Sequence, residues 1–223
     1  MKILGELTLM AGMTSSIYAS FIKTLFVRTV ENDSFRFNPG TGVIEWKDNP
    51  KEEYRLVIEG LVKEPKTLAY HALKSIAQLE QVSDFHCVEG WSVADIKWEG
   101  FRFSEIVRLV KPEAQAAHVV FHSFGKTGSA PGGQDHYVES LPLSELLDPK
   151  REIMLVLNMN NNPLPEDHGA PLRLISPYDL GYKSIKYITR IEFAKEARPG
   201  WWTLANPIYP AVARVPKDRL RKR

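Results

Sequence analysis

Segments that alternate apolar and polar residues with a period of two recur along this chain, and they limit its possible folds. The clearest are YRLVIEGLV, which begins at Tyr54, and SIKYITRIEFA, which begins at Ser184. Such alternation predicts half-buried strands, since successive side chains of a strand point to opposite faces. The apolar runs AHVVFHSFG and EIMLVLNM predict further strands, and VSDFHCVEG predicts extended structure that breaks at Gly90.

Short helical patterns lie between these strands. Thr67 is expected to cap a helix through LAYHALKSIAQL, whose apolar residues recur at helical spacing. FSEIVRLV predicts a short helix that ends before Pro112, and PLSELL predicts one or two helical turns. Because the order of elements has no βαβ rhythm, the sequence predicts an α+β fold, a mixed β-sheet with short helices, rather than a doubly wound fold.

The domain organisation is simple, since 223 residues fit one large domain or two small ones and no repeat or low-complexity linker interrupts them. We assign residues 32–215 to one domain. Residues 1–31 form an N-terminal segment whose uncharged stretch falls short of the roughly 20 apolar residues of a spanning helix, so we expect a packed helix, with an anchor or export signal as the alternative. The turn-rich FNPGTGVIEWKDNP is expected to join this segment to the domain, and the basic tail, 216–223, is expected to be solvated and disordered.

The lone cysteine, Cys87, lies in the segment DFHCVEGWSV and excludes a disulfide scaffold. A free cysteine often fills a core. If the segment is a strand, however, Glu89 shares a face with Cys87, and a carboxylate beside a thiol requires a polar or metal-bearing site.

Three functions for Cys87 follow from chemistry. The thiolate could be a nucleophile with a histidine base such as His86, His122 or His168, although the charge of Glu89 disfavours an activated thiolate. It could bind zinc with some of the six histidines, although no C-x-x-C or H-E-x-x-H motif is present. It could be the soft ligand to a metal that arrives in an organic cofactor. The residues alone leave the choice open.

Two further motifs give a family resemblance. CVEGWS followed by WEGF, and the downstream block NPLPEDHGAPLRLISPYDLGYKSIKYI, resemble the molybdopterin-dependent oxidoreductases of the sulfite-oxidase superfamily, over a range from about Asn32 to Pro210. Within it, the chain is most similar to the branch of bacterial methionine-sulfoxide reductases that work with a haem membrane partner. The resemblance implies the sulfite-oxidase molybdopterin-binding fold, a molybdopterin cofactor carrying molybdenum, and two-electron oxygen-atom transfer between Mo(VI) and Mo(IV).

The resemblance also implies roles for individual residues. In the family, the residue at Cys87 is the thiolate ligand to molybdenum. Our own choice for the residue that sets proton availability beside it is Glu89, so these two are the candidate catalytic residues. Arg173 and Lys183 are expected to hold the terminal phosphate of the pterin, whereas Lys186 is expected to be a solvated strand edge. The complete set expected to bind the cofactor is Asn32, Phe35, Arg36, Cys87, Ser123, His168, Arg173, Gly181 and Lys183.

The chain departs from sulfite oxidases where the substrate would bind. Those enzymes carry a basic run after the ligand cysteine, where this chain has Glu89, Gly90 and Trp91, and their active-site tyrosine is matched by Leu157. A sulfite dianion would find little to bind, so sulfoxide reduction is the preferred activity. The alternatives are sulfite oxidase-like oxidation, a molybdopterin-binding protein with little catalysis, and a cysteine-dependent hydrolase.

The expected partners follow from what the sequence lacks. It has no C-x-x-C-H haem motif and no cysteine cluster for iron–sulfur, so electrons are expected from a redox partner, with a haem membrane protein as one candidate. The net charge of +2 gives no electrostatic argument for nucleic acid. We expect a small-molecule or sulfoxide substrate and a monomer, since the chain has no counterpart of the immunoglobulin-like dimerisation domain of sulfite oxidases. No twin-arginine pair is visible, so we expect a cytoplasmic protein, with a periplasmic or membrane-associated one as the alternative.

Overall fold

A computed structural model describes residues 35–47 and 50–221 of the chain. Asn32 and the N-terminal segment, 1–31, lie outside the described residues. The strands are β1 (Phe35–Asn38), β2 (Val43–Trp46), β3 (Lys51–Glu53), β4 (Arg55–Gly60), β5 (Lys66–Ala69), β6 (Leu79–His86), β7 (Ser92–Arg102), β8 (His118–Ser123), β9 (Val138–Pro142), β10 (Met154–Met159), β11 (Asn162–Pro163), β12 (Arg173–Ile175) and β13 (Ile188–Ala194). The α-helices are α1 (Tyr70–Lys74), α2 (Phe103–Val110), α3 (Leu143–Leu147) and α4 (Trp201–Ala205).

The strands form three sheets. One has the order β1-β2-β3, a second has the order β11-β10-β7-β6 with β12 also paired to β10, and a third has the order β5-β4-β13-β8-β9. In the third sheet β13 runs parallel to β4 and antiparallel to β8. The predicted α+β fold with a mixed sheet and short helices is confirmed.

Helix α2 shows how the sequence builds the core of the third sheet. Phe103, Ile106 and Val110 recur at helical spacing and are fully buried. The Phe103 ring lies 5.8 Å from that of Phe121 on β8 and 5.9 Å from that of Phe193 on β13. Burial of one such side chain contributes about 1.5–3 kcal/mol, so this face holds the helix against the sheet.

Two predicted elements have different bounds in the structure. The helix expected after Thr67 covers Tyr70–Lys74 alone, because Lys66–Ala69 pairs with β4 and its backbone groups enter that ladder. The turn-rich segment expected to be a connector is the β1–β2 hairpin, in which Phe35 faces Trp46 and Asn38 faces Val43.

The long strand predicted from Ser184 to Ala194 is also shorter than expected. Residues Gly181–Lys183 form a 3-10 turn, and Tyr187 has a φ of 58°, in the left-handed region that interrupts a strand. Regular pairing therefore begins at Ile188. The irregular stretch turns Lys186 inwards, where it is 8% exposed, so the prediction of a solvated Lys186 is wrong.

The prediction of a disordered basic tail is wrong for its described part, 216–221. Lys217–Arg219 forms a 3-10 turn, and the side chains of Arg219 and Arg221 bind the region around Cys87. Composition alone could not show this, because the carboxylates and carbonyls that bind the two arginines come from distant parts of the chain. Separately, none of the helices in the described ranges is long and apolar enough to cross a membrane.

Candidate functional site

Cys87 lies in a tight turn between β6 and β7. The Cys87 N–H donates to the carbonyl of Trp91 at 2.9 Å, and the Gly90 N–H donates to the carbonyl of Cys87 at 3.2 Å. Gly90 has a φ of 96°, a conformation that favours glycine. The Cys87 side chain is half-buried at the edge of a hydrophobic cluster, so the sulfur is neither sealed in the core nor fully exposed.

Glu89 lies beside this sulfur although the backbone is not a strand here. Its Oε2 is 3.9 Å from Cys87 Sγ and accepts a hydrogen bond of 2.9 Å from Trp91 Nε1. The side-chain alternation that we predicted for Cys87 and Glu89 is therefore wrong, but the turn brings the two groups together. Trp91 is buried and its indole fixes one carboxylate oxygen near the thiol.

Arg173 is a buried cation on β12. Its guanidinium donates to the carbonyls of His168 at 2.8 Å and Ser184 at 3.2 Å, and lies over the rings of Phe85 and Trp98. Burial lowers the pKa of Arg173 to about 10, so the group stays charged at neutral pH. Within 35–47 and 50–221, no carboxylate pairs with Arg173 and its Nε has no acceptor.

More positive charge surrounds Arg173. Lys186 Nζ donates to the carbonyl of Asp167 at 3.2 Å. Burial lowers the pKa of His168, and the nearby charges of Arg173 and Lys186 lower it further. Gly169 has a φ of 111°, and its missing side chain lets Lys186 and Arg173 pack against its backbone. A Cβ on Gly169 would lie 2.9 Å from Cβ of Lys186 and 3.1 Å from Cβ of Arg173. We call Arg173, Lys186 and His168 the cationic cluster. Because Arg173 has no carboxylate partner among the described residues, this buried cluster is suited to an anionic ligand.

The Phe85 ring lies between the cationic cluster and the turn that holds Cys87. Its ring centroid lies 6.1 Å from that of Trp91 and 5.7 Å from the guanidinium carbon of Arg173. Gly181 packs on the same ring, because a Cβ there would fall 2.2 Å from Cζ of Phe85. Gly181 thus belongs to the wall of the site. Its predicted contact with the cofactor itself stays a prediction.

Phe35 and Ser123 line two surface cavities that do not include Arg173. The Phe35 ring is 4.7 Å from that of Phe124 and 5.4 Å from that of Tyr187. Ser123 is buried, and its Oγ has no hydrogen-bond partner among the described residues. Arg36 is exposed, and it also lines an open surface cavity. The cofactor contacts predicted for these three residues stay predictions.

Lys183 is placed differently from its predicted role. It is buried, forms an ion pair with Glu139, and donates to the carbonyls of Ser140 at 3.2 Å and Ala211 at 3.0 Å. An ammonium has three N–H donors, so these three acceptors use all of them. The phosphate contact predicted from the resemblance would have to replace one of these bonds.

The histidines proposed as bases for a nucleophilic thiol have other partners. His86 Nδ1 bonds to Ser92 Oγ at 2.8 Å, and His122 bonds to His136 and Glu192. Burial lowers the pKa of His86 to about 4 and that of His122 to about 3, so both rings are neutral at pH 7. Neither ring therefore supplies the cation that activates a catalytic cysteine.

Three residues of the site escaped prediction. Phe85 precedes the cysteine motif by two positions and Lys186 lies inside the downstream motif, so the motifs themselves offered a signal for both. Arg219 lies 132 residues from Cys87, and no local pattern connects them. Its contact depends on tertiary structure alone.

A half-buried thiol near a carboxylate, connected through aromatic rings to a buried cationic cluster, defines the class of protein as one that can bind an anionic ligand beside a thiol. The unpaired Nε of Arg173 and Oγ of Ser123 fit such a ligand, since buried polar groups normally have partners.

Comparison with known proteins identifies the family. Residues 42–202 match the oxidoreductase molybdopterin binding domain, and the chain belongs to this family. The cofactor class of this domain family is molybdopterin. The predicted family and cofactor are thereby confirmed.

Two relatives describe how far the similarity extends. The chain is 35% identical over 160 residues to the protein-methionine-sulfoxide reductase catalytic subunit MsrP of Ralstonia nicotianae, which covers 69% of this chain and 47% of that protein. The chain thus spans about half the length of this curated relative. The sulfane dehydrogenase SoxCD from Paracoccus pantotrophus superposes with a TM-score of 0.56 at 17% identity, covering 84% of this chain and 55% of that one, and it supports the fold alone.

Proposed function

We propose that this chain reduces sulfoxides by two-electron oxygen-atom transfer at a molybdenum cofactor that Cys87 ligates. The observation that carries the proposal is the buried Arg173, a cation without a carboxylate partner among the described residues, which Phe85 and Trp91 connect to the turn that holds a half-buried thiol. The 35% identity to a protein named a methionine-sulfoxide reductase subunit supports the direction of the reaction.

Each residue has a separate part in the reaction. When bound, the cofactor would supply two-electron redox chemistry. Cys87 Sγ would bind its metal, and the Arg173 guanidinium would hold the phosphate of the pterin by charge-assisted hydrogen bonds. Glu89 Oε2 accepts a hydrogen bond from Trp91 Nε1 and lies 3.9 Å from the sulfur, so this carboxylate is placed to accept and pass on a proton beside Cys87. The balanced reaction takes a sulfoxide, two protons and two electrons to a thioether and water.

The charge of Glu89 also supports a neutral substrate. A carboxylate exposed at this position repels a dianion that approaches the metal, whereas a sulfoxide is uncharged. This favours sulfoxide reduction over the alternative of sulfite oxidation.

The partners are part of the proposal. Two electrons must come from another molecule, and we propose a redox protein as the donor, with a haem membrane protein as its specific form. A monomeric state and a cytoplasmic location stay predictions.

Metal analysis of the purified protein tests the proposal. We expect stoichiometric molybdenum, pterin fluorescence after oxidation, and turnover of a sulfoxide with a reduced dye as electron donor. Molybdenum without turnover of any sulfoxide would favour a binding protein with little catalysis. Absence of molybdenum, together with hydrolysis that iodoacetamide inhibits, would favour the cysteine-dependent hydrolase.

The variant Cys87→Ala is the matched test of ligation. Cys87 is the sole cysteine, so no other thiol can replace it. We expect sulfoxide turnover to be abolished and the electronic spectrum of the metal to change, while part of the pterin remains bound through Arg173. Full turnover by Cys87→Ala would remove thiolate ligation from the mechanism.

A further inference from the structure

The described part of the basic tail lies against the cysteine turn through Arg219. Its Nη1 donates to the carbonyl of Cys87 at 3.0 Å, and its Nη2 donates to the carbonyl of Trp91 at 2.7 Å. Nη2 also lies 3.1 Å from Ser92 Oγ. The planar guanidinium thus spans the first and last residues of the turn, a geometry that arginine provides and lysine does not.

The contacts of Arg219 involve the same carbonyls that accept the backbone hydrogen bonds of the turn. The carbonyl of Trp91 accepts both from Arg219 and from the N–H of Cys87, which lies 2.9 Å away. The carbonyl of Cys87 likewise accepts from Arg219 and from the N–H of Gly90. Each carbonyl has two lone pairs, so both bonds can form together. Arg219 therefore fixes the positions of two carbonyls on which the backbone of the turn depends.

A second arginine fastens the same tail at a different place. Arg221 binds Asp84 on β6 through Nε at 2.7 Å and Asp95 on β7 through Nη2 at 2.5 Å. Asp84 also accepts from the Asp95 N–H at 3.1 Å. This ion-pair cluster holds the tail to the two strands, whereas Arg219 holds the turn itself.

Arg219 contacts the backbone of Cys87 and Trp91, so its hydrogen bonds act on the conformation of the turn itself.

We propose that Arg219 is a positioning residue, which fixes the conformation of the turn from Cys87 to Trp91 and so presents the sulfur to the metal in one orientation. The part that concerns the metal rests on the proposed function. The part that concerns the turn can be measured in the protein without cofactor.

The first experiment is amide hydrogen exchange on the cofactor-free full chain. In Arg219→Ala, we expect the Cys87 N–H to exchange about tenfold faster or more, because charge-assisted hydrogen bonds that hold its acceptor are lost. Arg219→Lys should restore part of the protection. Amides of β13 should be unchanged in both variants, which shows that the domain remains folded.

The matched control is Arg221→Gln, which loosens the tail without touching the turn carbonyls. We expect its effect on the Cys87 amide to be much smaller than that of Arg219→Ala. An equal effect of the two variants would show that docking of the tail as a whole, rather than Arg219, protects the turn. An unchanged Cys87 amide in Arg219→Ala would overturn the proposal outright.

The second experiment uses the Mo(V) electron paramagnetic resonance spectrum of loaded protein, which reports the geometry of the thiolate ligand. We expect a shifted or heterogeneous signal in Arg219→Ala and the parent signal in Arg221→Gln. An unaltered signal in Arg219→Ala would overturn the orienting role. If even the parent protein bound no molybdenum, the proposed function would fail, and the exchange data would still decide whether Arg219 fixes the turn.

Discussion

The substitution Lys183→Met tests whether the buried lysine stabilises the apoprotein. Lys183 pairs with Glu139, whose carboxylate is 1% exposed and packs on Gly200, where a Cβ would lie 2.6 Å from Oε2. Burial raises the pKa of Glu139, and the charge of Lys183 opposes that rise. Without the lysine, the carboxylate would remain buried beside an uncharged thioether.

The magnitude follows from the protonation of Glu139. A buried, uncompensated carboxylate takes up a proton instead of staying charged. From an ordinary pKa of 4.5, protonation at pH 7 costs about 3.4 kcal/mol, at about 1.36 kcal/mol per pH unit. This lies within the range of about 3–5 kcal/mol typical of a broken buried ion pair. For a domain of this size we expect the Tm to fall by about 7–14 °C.

The pH dependence makes the prediction specific. The cost of protonating Glu139 falls by about 1.4 kcal/mol for each pH unit below 7, so Lys183→Met should lose less stability at pH 5.5 than at pH 7. The measurement is urea unfolding of the cofactor-free protein at both values. The double variant Lys183→Met/Glu139→Gln should lack this pH-dependent loss, and Lys150→Met, at an exposed lysine, is the control. A Lys183→Met apoprotein as stable as the parent at pH 7 would refute the reasoning.

Three further predictions concern pterin binding by Arg173, the packing of Gly181 on Phe85, and the pH dependence of stability. Arg173→Ala should lose most of its bound pterin, since a charge-assisted bidentate contact contributes about 1.5–3 kcal/mol, and pterin fluorescence per protein that matches the parent would contradict this role. Gly181→Ala should destabilise the protein by about 1–3 kcal/mol because its Cβ would meet the Phe85 ring at 2.2 Å, whereas Gly128→Ala, with open space around it, should be neutral in the same thermal melts. The pKa of His122 is about 3 in the folded state and about 6.5 in the unfolded state, so the unfolded state binds more protons between these values. The free energy of unfolding should therefore fall as the pH drops below about 6.5. His122→Gln should flatten this pH dependence in urea unfolding, and an unchanged slope would count against a neutral His122.

The spacing of apolar residues predicted those helices and strands whose buried faces follow that spacing. The helix FSEIVRLV and the strands around Val120 and Leu155 lie where the sequence places them, since burial follows the periodicity of the side chains. The β5 strand was missed because its pairing with β4 overrides helical spacing. The turn at Tyr187 was missed because a left-handed tyrosine has no local signal.

In the candidate site, too, local sequence predicted some contacts and missed those between distant residues. The motif around Cys87 placed the sulfur and Glu89 together, although the structure joins them through a turn rather than a strand. The burial of Arg173 agrees with its predicted role, but burial cannot tell whether a lysine binds a phosphate or a carboxylate. Lys183 shows this limit, because Glu139 is 44 residues away in sequence. Long-range pairs of this kind depend on the assembled sheets.

The distance in sequence between Arg219 and Cys87 has a consequence for biosynthesis. A nascent polypeptide emerges from the ribosome with its N-terminal part first, so the β6–β7 hairpin leaves the exit tunnel well before residue 219 does. During that interval the turn lacks the two hydrogen bonds from Arg219. The fixed turn can form only after residue 219 has been synthesised, so the sulfur reaches its held orientation later than its own hairpin can fold.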